Sequence, residues 1–435
     1  MKRWRWAAAA AGIFALAAAG YMAPCMMEAM AQSAPAAAEE RMAYFHWAPD
    51  LDAVAYELEI YGEERADLPP DAAGTGALYQ TERLYTNSAL VALGDILKPG
   101  ETYERLWWRV RPLDLERNPI GPFSEIQSYM PSAGSWHQSS PLPRAYFNGE
   151  KGSSLLYPVY SFTPMENAAS YEVEVTSREP ENPEGTEPSR YRVFAKVVEN
   201  ANLYDPAPRI GTYWWRVRAM DSEGRSLGGW SRAESFRTDP SDRWQVALLG
   251  DSISHGGGRL SYGPADWTYS YAHYLNFPAV NLSESGDTSR MTADRFEKDV
   301  VPFHPEYVLI MTGSNSLRAG VPAGEVIADL REIQQKARDH GITPILMTLP
   351  PINPASIRRA FDQPTADGWE AAFREVNAFI RSEPSIDTAA AFRQWEEMPE
   401  DLAMDGLHGD WRAKEMMARV INDEMPRLAP DLRTF

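Results

Sequence analysis

The chain of 435 residues is long enough for several domains, and its composition, 44% hydrophobic and 24% charged, is that of a folded globular protein. Its formal net charge of −19 argues against nucleic acid as a partner, because the phosphate backbone attracts basic proteins. The same charge argues against binding to an anionic membrane surface.

The first segment, residues 1–31, is typical of a secretory signal peptide. Basic residues at its start precede an alanine-rich stretch, and Ala29-Met30-Ala31 forms a small-x-small cleavage site. We therefore expect export, to a periplasm or out of the cell, with a flexible connector over residues 32–40. The single cysteine, Cys25, lies inside this segment. Its lipidation is only a minor alternative, because a small residue normally precedes a lipidated cysteine and Pro24 precedes this one. No later stretch reaches the length of a membrane helix.

Residues 41–135 and 141–239 are two copies of one pattern. Short runs that alternate between apolar and polar residues are separated by Gly, Pro, Asn and Asp, which predicts an antiparallel β-sandwich in each copy. Each copy has an aromatic residue nine positions before a tyrosine, then a Trp-Trp-Arg-Val-Arg strand and a glycine-containing turn. These parts are Trp47, Tyr56 and 107–111 in the first copy, and Phe162, Tyr171 and 214–218 in the second. Both copies resemble fibronectin type III modules.

The Trp-Trp-Arg-Val-Arg strands have two interpretations. Alternation along a strand puts the second tryptophan and the valine on the buried face, and the first tryptophan and both arginines on the other face. The outer row is Trp107, Arg109 and Arg111 in the first copy, and Trp214, Arg216 and Arg218 in the second. Such a row suits the stacking of sugar rings. The interpretation that we favour is structural, with tryptophan and arginine stacked on each other in a cation–π ladder.

From residue 241 to residue 435 the periodicity changes, and strands alternate with helices. The predicted strands are 246–249, 279–282, 307–311, 344–348 and 385–387, and the predicted helices are 267–275, 292–299, 323–340, 369–381 and 413–421. This alternation predicts a three-layer α/β domain with a parallel, flavodoxin-like sheet. The fourth strand ends in a proline-rich loop at 348–354, which is either a stiff wall of the substrate site or a plain connector.

Four polar segments lie at or near the ends of these strands. They are Gly250-Asp251-Ser252, the stretch 283–286 that ends in Gly286, Gly313-Ser314-Asn315, and Asp405-Gly406-Leu407-His408. A serine needs a base to become a nucleophile, and of the seven histidines only His408 has a carboxylate three residues ahead of it. A glycine amide and an asparagine side chain are suitable donors for an oxyanion hole. Because the carboxyl ends of parallel strands share one edge, we expect these segments to meet there.

In this order, the four segments resemble the SGNH (GDSL) hydrolase family. The resemblance implies that Ser252 is the nucleophile, His408 the base and Asp405 the carboxylate that orients it. It also implies that the amides of Ser252 and Gly286 and the side chain of Asn315 form the oxyanion hole. No metal ion and no organic cofactor are expected for this chemistry.

Two nearby residues stand apart from that assignment. The family often has Gly-x-Asn-Asp in its third segment, whereas Ser316 follows the asparagine here. We expect this difference to affect the geometry of that loop more than the activity. His255 lies three residues after the predicted nucleophile in a glycine run, and we expect it at the rim of the site rather than as a second base.

We therefore predict an exported serine esterase, a carboxylic ester hydrolase with two β-sandwich modules ahead of the catalytic domain. The favoured substrate is an O-acetyl group on a carbohydrate or cell-envelope polymer, by analogy with family members of this architecture. A lipid-directed or short-chain aryl esterase is the enzymatic alternative. The alternative from another class is a non-catalytic extracellular binding or structural protein that retains the SGNH scaffold.

Overall fold

The computed structural model describes residues 42–50, 52–98, 103–130, 140–144, 154–165, 168–183, 185–258 and 262–435. The predicted signal peptide, the connector and Cys25 lie outside these ranges, as does most of the joint between the two copies. Within the described ranges, no helix combines the length and apolarity needed to cross a lipid bilayer.

The first copy folds into two antiparallel sheets. Its elements are β1 (Met42–His46), β2 (Ala55–Tyr61), β3 (Tyr79–Leu84), β4 (Ser88–Ala92), the one-turn helix α1 (Leu93–Ile96), β5 (Leu106–Leu113) and β6 (Gln127–Tyr129). One sheet pairs β1 with β4, and the other has the order β3-β2-β5-β6. Phe45, Trp47 and Trp108 lie in the core between them. The predicted antiparallel architecture is confirmed for this copy.

The second copy repeats this arrangement. Its strands are β7 (Leu142–Arg144), β8 (Val159–Thr163), β9 (Ser170–Thr176), β10 (Arg192–Val198), β11 (Asn202–Tyr204), β12 (Gly211–Met220) and β13 (Glu234–Thr238). They form one sheet of order β10-β9-β12-β13 and another of order β11-β8-β7, with antiparallel pairing throughout both sheets.

The spaced aromatic pairs of the two copies have the same structural role. The ring centroids of Trp47 and Tyr56 lie 5.3 Å apart, and those of Phe162 and Tyr171 lie 4.8 Å apart. The tyrosine hydroxyl in each copy donates to the backbone carbonyl six residues earlier, at Asp50 and at Met165. The sequence repeat therefore corresponds to the same packing arrangement in both copies.

The arginine rows are covered rather than open to solvent, and their predicted stacking partners were wrong. Arg216 is fully buried, and its Nε donates to Glu174 Oε1 at 2.9 Å. Its guanidinium carbon lies 4.7 Å from the ring centroid of Trp230, while that of Arg109 lies 3.9 Å from the ring of Phe123. The aromatic partner thus comes from the segment that follows the strand, because that segment folds back over the arginines. This arrangement favours the structural interpretation of the rows.

The α/β domain is built on a five-stranded parallel sheet. Its strands are β14 (Val246–Gly250), β15 (Ala279–Asn281), β16 (Tyr307–Met311), β17 (Thr343–Met347) and β18 (Ser385–Ile386), in the order β15-β14-β16-β17-β18. Its helices are α2 (Ser252–His255), α3 (Ser289–Asp299), α4 (Ser314–Arg318), α5 (Ala323–Asp339), α6 (Pro354–Phe361), α7 (Trp369–Arg381) and α8 (Trp411–Leu428). The predicted parallel sheet is confirmed.

Two details of the domain differ from the sequence prediction. The helix expected at 267–275 is a pair of 3-10 turns, Trp267–Tyr269 and Tyr271–Tyr274, because Ser270 between them has extended backbone angles. The proline-rich loop ends in the unpredicted helix α6, whose start is capped by Asn353, with proline at the first helical position.

A short segment ahead of β8 extends the parallel sheet at its β15 edge. Leu155 pairs with Asn281 in parallel register, and Leu156 is buried in the core of the α/β domain together with Tyr157. The sequence assigned these residues to the second sandwich. The two units are therefore joined by shared β-structure as well as by the chain connection at residue 240.

Candidate active site

The predicted nucleophile stands at the end of a buried strand. Each residue of β14 is buried, and Ser252 begins α2, with Asp251 as its N-cap accepting from the amide of Ile253 at 3.0 Å. Gly250 is required at the turn because a Cβ there would lie 2.0 Å from the carbonyl oxygen of Met311 on the neighbouring strand. This close approach holds the serine at the carboxyl edge of the sheet.

The structure brings Ser252, His408 and Asp405 into one hydrogen-bonded row. His408 Nε2 lies 2.7 Å from Ser252 Oγ, and His408 Nδ1 lies 2.7 Å from Asp405 Oδ2. Because a carboxylate only accepts, Nδ1 carries the proton, and the lone pair of Nε2 faces the serine hydroxyl. This is the tautomer that a general base needs.

The carboxylate of Asp405 is held in its ionised form. Its Oδ1 accepts from the backbone amides of Leu407 at 2.9 Å and His408 at 2.7 Å. Burial opposes ionisation, yet the electrostatic attraction and hydrogen bonds of His408, with the amide of Leu407, hold the pKa of Asp405 below its ordinary value. On the other side of the imidazole, the ring of Phe361 at the end of α6 makes an edge contact, with centroids 6.1 Å apart.

The three predicted oxyanion donors lie on adjoining strand ends. Gly286 has a φ of 94°, in the left-handed region that favours glycine. Asn315 Nδ2 donates to the carbonyl of Asp287, the residue after Gly286, at 2.9 Å, which joins the second and third polar segments. In the described part of the chain, no hydrogen bond uses the backbone N–H of Ser252 or of Gly286. Two free amides thus remain for an incoming oxygen.

Ser316, where the family often has aspartate, is part of a buried hydroxyl network. Its Oγ accepts from the amide of Ser289 at 2.9 Å, and the hydroxyl of Ser289 donates to Asp329 Oδ2 at 2.7 Å. The network ties the third polar segment to the start of α3 and to the second turn of α5. A serine therefore supports this loop through α3.

Sequence reasoning missed three charged groups beneath the nucleophile turn. Burial raises the pKa of Asp251 to about 6 and lowers that of Lys414, whose Nζ donates to the carbonyl of Ile253 at 2.8 Å, to about 8. Burial also lowers the pKa of Arg318, whose Nε and Nη1 have no hydrogen-bond partner in the described structure. A lysine on the apolar face of α8 was the one sequence signal for this cluster.

His255 is buried, and its predicted place at the rim was wrong. Its side chain lies between Ser285 Oγ, 2.8 Å from Nδ1, and the carbonyl oxygen of Tyr157, 2.8 Å from Nε2. Burial lowers the pKa of His255 to about 4, so the ring is neutral at pH 7. Both nitrogens are occupied, so His255 has no free lone pair for Ser252. The sequence did not reveal this because Tyr157 lies about a hundred residues away.

A buried acidic cluster supports the loop that contains Gly286. Arg295 donates to Asp287 Oδ2 at 2.5 Å and to Asp299 Oδ2 at 3.1 Å, and also to the carbonyl oxygens of Leu282 and Gly250. Arginine thus ties the ends of two strands to α3. In the described ranges, no group of His, Cys, Asp and Glu side chains is arranged to hold a metal ion.

Comparison with known proteins matches the α/β domain to a hydrolase family. The sequence model of the GDSL-like lipase/acylhydrolase family matches residues 248–410. Thioesterase 1/protease 1/lysophospholipase L1 of Escherichia coli (strain K12) is 26% identical over 201 residues, which are 43% of this chain and 90% of that protein.

Solved structures of hydrolases cover a similar share of the chain. A lipase/acylhydrolase from Enterococcus faecalis is 19% identical, with a TM-score of 0.35, over 44% of this chain and 98% of its own. An acetylxylan esterase from Geobacillus stearothermophilus, solved as a catalytic mutant, is 23% identical, with a TM-score of 0.32, over 42% and 93% of the two chains.

The chain therefore contains a GDSL-like hydrolase domain on a parallel five-stranded sheet. The protein is a carboxylic ester hydrolase of the esterase/acylhydrolase type. The alternative of a non-catalytic binding protein is disfavoured by this assignment.

Proposed function

We propose that the protein hydrolyses esters through Ser252, His408 and Asp405. Ser252 Oγ attacks the ester carbonyl carbon while His408 Nε2 takes the hydroxyl proton, and Asp405 stabilises the resulting imidazolium. His408 then gives the proton to the departing alcohol, which leaves an acyl group on Ser252. A water molecule, activated by the same imidazole, releases the acid and restores the serine.

The observation that carries this proposal is the row of two 2.7 Å contacts from Asp405 through His408 to Ser252. The amides of Ser252 and Gly286, together with the second N–H of Asn315, are the proposed donors to the oxyanion. Their support is the pair of unused amides and the bond from Asn315 to the residue beside Gly286. Such donors act where negative charge develops, so they favour the transition state over the bound ester.

The proposed substrate is a short acyl ester, an O-acetyl group on a carbohydrate or cell-envelope polymer. The segments expected to border the site, 255–266, 284–290, 313–322 and 350–368, are rich in Gly, Pro, Ser and Asp and contain few contiguous large apolar residues. A tunnel for a long acyl chain needs an apolar lining, since each buried methylene contributes about 0.8 kcal/mol. These segments offer a long chain little such gain.

The second candidate is an esterase or thioesterase that acts on lipid-like acyl groups. It is favoured by the relative from Escherichia coli, whose name includes thioesterase and lysophospholipase activities and which is 26% identical to this chain. Acyl-chain dependence separates the two candidates, because only a lipid-directed site gains from added methylenes.

The two N-terminal units are proposed to be fibronectin type III-like modules that precede the catalytic domain of an exported enzyme. Their antiparallel sheets and their repeated tyrosine contacts support this proposal. Export rests on the signal-peptide pattern of residues 1–31. Recovery of the expressed full chain from the cytoplasm with residues 1–31 still attached would contradict export.

The test of the proposed reaction is turnover of p-nitrophenyl acetate by the purified chain that begins after residue 31. We expect turnover by this enzyme and none above background by its Ser252→Ala variant, prepared in the same way. Equal turnover by the two would contradict the proposal. A parallel screen of acetylated polysaccharides, read as released acetate, tests the substrate class.

A further inference from the structure

A segment outside the matched family region is built into the α/β domain beside the proposed oxyanion loop. Leu156 N donates to the carbonyl of Asn281 at 2.8 Å, and Asn281 N donates to the carbonyl of Ser154 at 2.9 Å, so Leu155 forms a parallel β-bridge with Asn281 of β15. The side-chain amide of Asn281 in turn donates to the carbonyls of residues 254 and 255 in the nucleophile helix. Asn281 thus links the segment directly to the backbone of the helix that begins at Ser252.

The side chain of Tyr157 connects this segment to one flank of the oxyanion loop. Its hydroxyl donates to Asp299 Oδ2 at 2.6 Å, and the same carboxylate oxygen accepts from Arg295 at 3.1 Å. Arg295 in turn donates to Asp287 Oδ2 at 2.5 Å, and its guanidinium carbon lies 5.5 Å from the centroid of the Tyr157 ring. Asp287 directly follows Gly286. A series of buried hydrogen bonds therefore connects the hydroxyl of Tyr157 to the loop that contains Gly286.

The backbone of Tyr157 reaches the other flank through His255. A carbonyl oxygen only accepts, so His255 Nε2 carries the proton and donates to Tyr157 O at 2.8 Å. His255 Nδ1 is then the acceptor for the hydroxyl of Ser285 at 2.8 Å. Ser285 directly precedes Gly286. Two independent routes from one residue therefore end on the two neighbours of the proposed oxyanion donor.

We propose that Tyr157 is a positioning residue for the oxyanion loop 284–287, through which the segment between β7 and β8 fixes the direction of the Gly286 amide. This inference rests on the proposed function, because it assigns Gly286 to the oxyanion. It makes the rate of the reaction depend on a residue that lies about ninety positions before the matched family region. The segment 154–157 is accordingly a working part of the catalytic unit rather than a linker.

The second sandwich contains a matched control for this role. Tyr160 is fully buried, its hydroxyl donates to Asp205 Oδ2 at 2.7 Å, and Asp205 is paired with Arg209 at 2.7 Å. Tyr157 and Tyr160 thus make the same kind of bond to a carboxylate that also binds an arginine. They differ in the carboxylate that accepts the bond, because Asp205 follows β11 of the sandwich, whereas Asp299 ends α3 of the α/β domain. Arg209 meets the segment through its backbone amide, which donates to the carbonyl of Leu156 at 2.8 Å, and Tyr160→Phe leaves that bond in place.

The test compares Tyr157→Phe and Tyr160→Phe in the full chain, with kcat and KM for p-nitrophenyl acetate and the melting temperature as readouts. Since a small misplacement of a catalytic group costs up to about 10²-fold in rate, we expect Tyr157→Phe to lower kcat by about 10-fold or more. Its KM should stay within about 2-fold, because the oxyanion forms only near the transition state. Tyr160→Phe should lower the melting temperature while its kcat stays within about 2-fold of wild type.

A second variant keeps the inference testable if Tyr157→Phe does not fold. Ser285→Ala cuts the route through His255 without disturbing the core, and it should also lower kcat at nearly constant KM. An unchanged kcat in either folded variant, or an equal loss in Tyr160→Phe, overturns the role of Tyr157. Failure of the proposed function looks different, because wild type would then be inactive or Ser252→Ala would remain active.

Discussion

The imidazole of His408 lies 2.7 Å from the hydroxyl of Ser252, although 156 residues separate them in the chain. The contact exists because Ser252 follows β14 at the carboxyl edge of the sheet, and the loop before α8 places His408 at the same edge. Asp405, three residues earlier on that loop, fixes which nitrogen of the ring carries the proton.

The first prediction concerns the carboxylate that orients the base. Asp405→Asn keeps the shape of the side chain but presents an amide to Nδ1, which favours the wrong tautomer of His408. We expect kcat to fall by about 10⁴-fold, as in the well-known serine protease case, with the melting temperature close to that of wild type. His408→Ala should abolish turnover, and wild-type-like rates in that variant would exclude it as the base.

The second prediction concerns Asn315. Its side chain is proposed to bind the oxyanion, so Asn315→Ala should lower kcat by about 10²–10³-fold with little change in KM. Steady-state kinetics on p-nitrophenyl acetate measure both constants. A rise in KM at constant kcat would instead make Asn315 a residue that binds the substrate in its ground state.

The third prediction concerns pH and His255. The pKa of this histidine is about 4 in the folded protein, against about 6.5 when exposed. Above pH 6.5 the ring is neutral in both states, and between 6.5 and 4 only the unfolded state gains a proton. The free energy of unfolding should therefore decrease as the pH falls through this window, by about 2 kcal/mol at pH 5.

His255→Gln removes this titration and serves as the control. Urea unfolding of the α/β domain at pH 7.5 and pH 5 should show a smaller loss of stability in the variant than in wild type. Asp251 titrates with the opposite sign, since its raised pKa favours the folded state as it gains a proton, but it is common to both proteins. Equal losses in the two proteins would contradict a neutral, buried His255.

The fourth prediction concerns the arginine rows of the second sandwich. Arg216→Met leaves Glu174 buried with one arginine fewer, which should destabilise this unit by about 3 kcal/mol. Arg218→Met should destabilise this unit less than Arg216→Met does, because the side chain of Arg218 is 17% exposed. Both variants should keep wild-type turnover of p-nitrophenyl acetate. Loss of polysaccharide binding at unchanged stability would revive the sugar-stacking interpretation.

The sequence predicted those features of the fold that depend on local periodicity. The buried strands at 246–249 and 307–311 lie within one residue of their observed bounds, and the helix at 369–381 coincides with α7. The pair Asp405 and His408 was recognisable because both members lie on one short loop. The order of the four polar segments indicated that they would meet, because parallel strands end at a common edge.

What the sequence could not predict depends on contacts between distant segments. The arginine rows were expected beside their own tryptophans, but Trp230 comes from a later turn and covers Arg216. His255 was assigned to the rim because nothing in the local sequence indicates that the backbone carbonyl of Tyr157 accepts a hydrogen bond from its ring. Lys414 is buried and Arg318 is half-buried, both near the carboxylates of Asp251 and Asp405, and periodicity alone does not place charged groups there.

The fifth prediction concerns the acyl group. With borders poor in large apolar residues, the site should show its highest kcat/KM on acetyl esters, and the value should fall by acyl chains of roughly eight carbons. A series of p-nitrophenyl esters from acetyl to octanoyl measures this dependence. A steady increase along the series would favour the lipid-directed candidate.

The most direct test of the central claim is to locate the covalent adduct of an organophosphonate ester, which mimics the tetrahedral intermediate and traps the attacking nucleophile. After reaction with the full chain, peptide mass spectrometry should find one phosphonyl group, on Ser252, and the Ser252→Ala variant should remain unlabelled. Labelling at another residue, or continued ester turnover by an enzyme whose Ser252 is fully phosphonylated, would contradict the account.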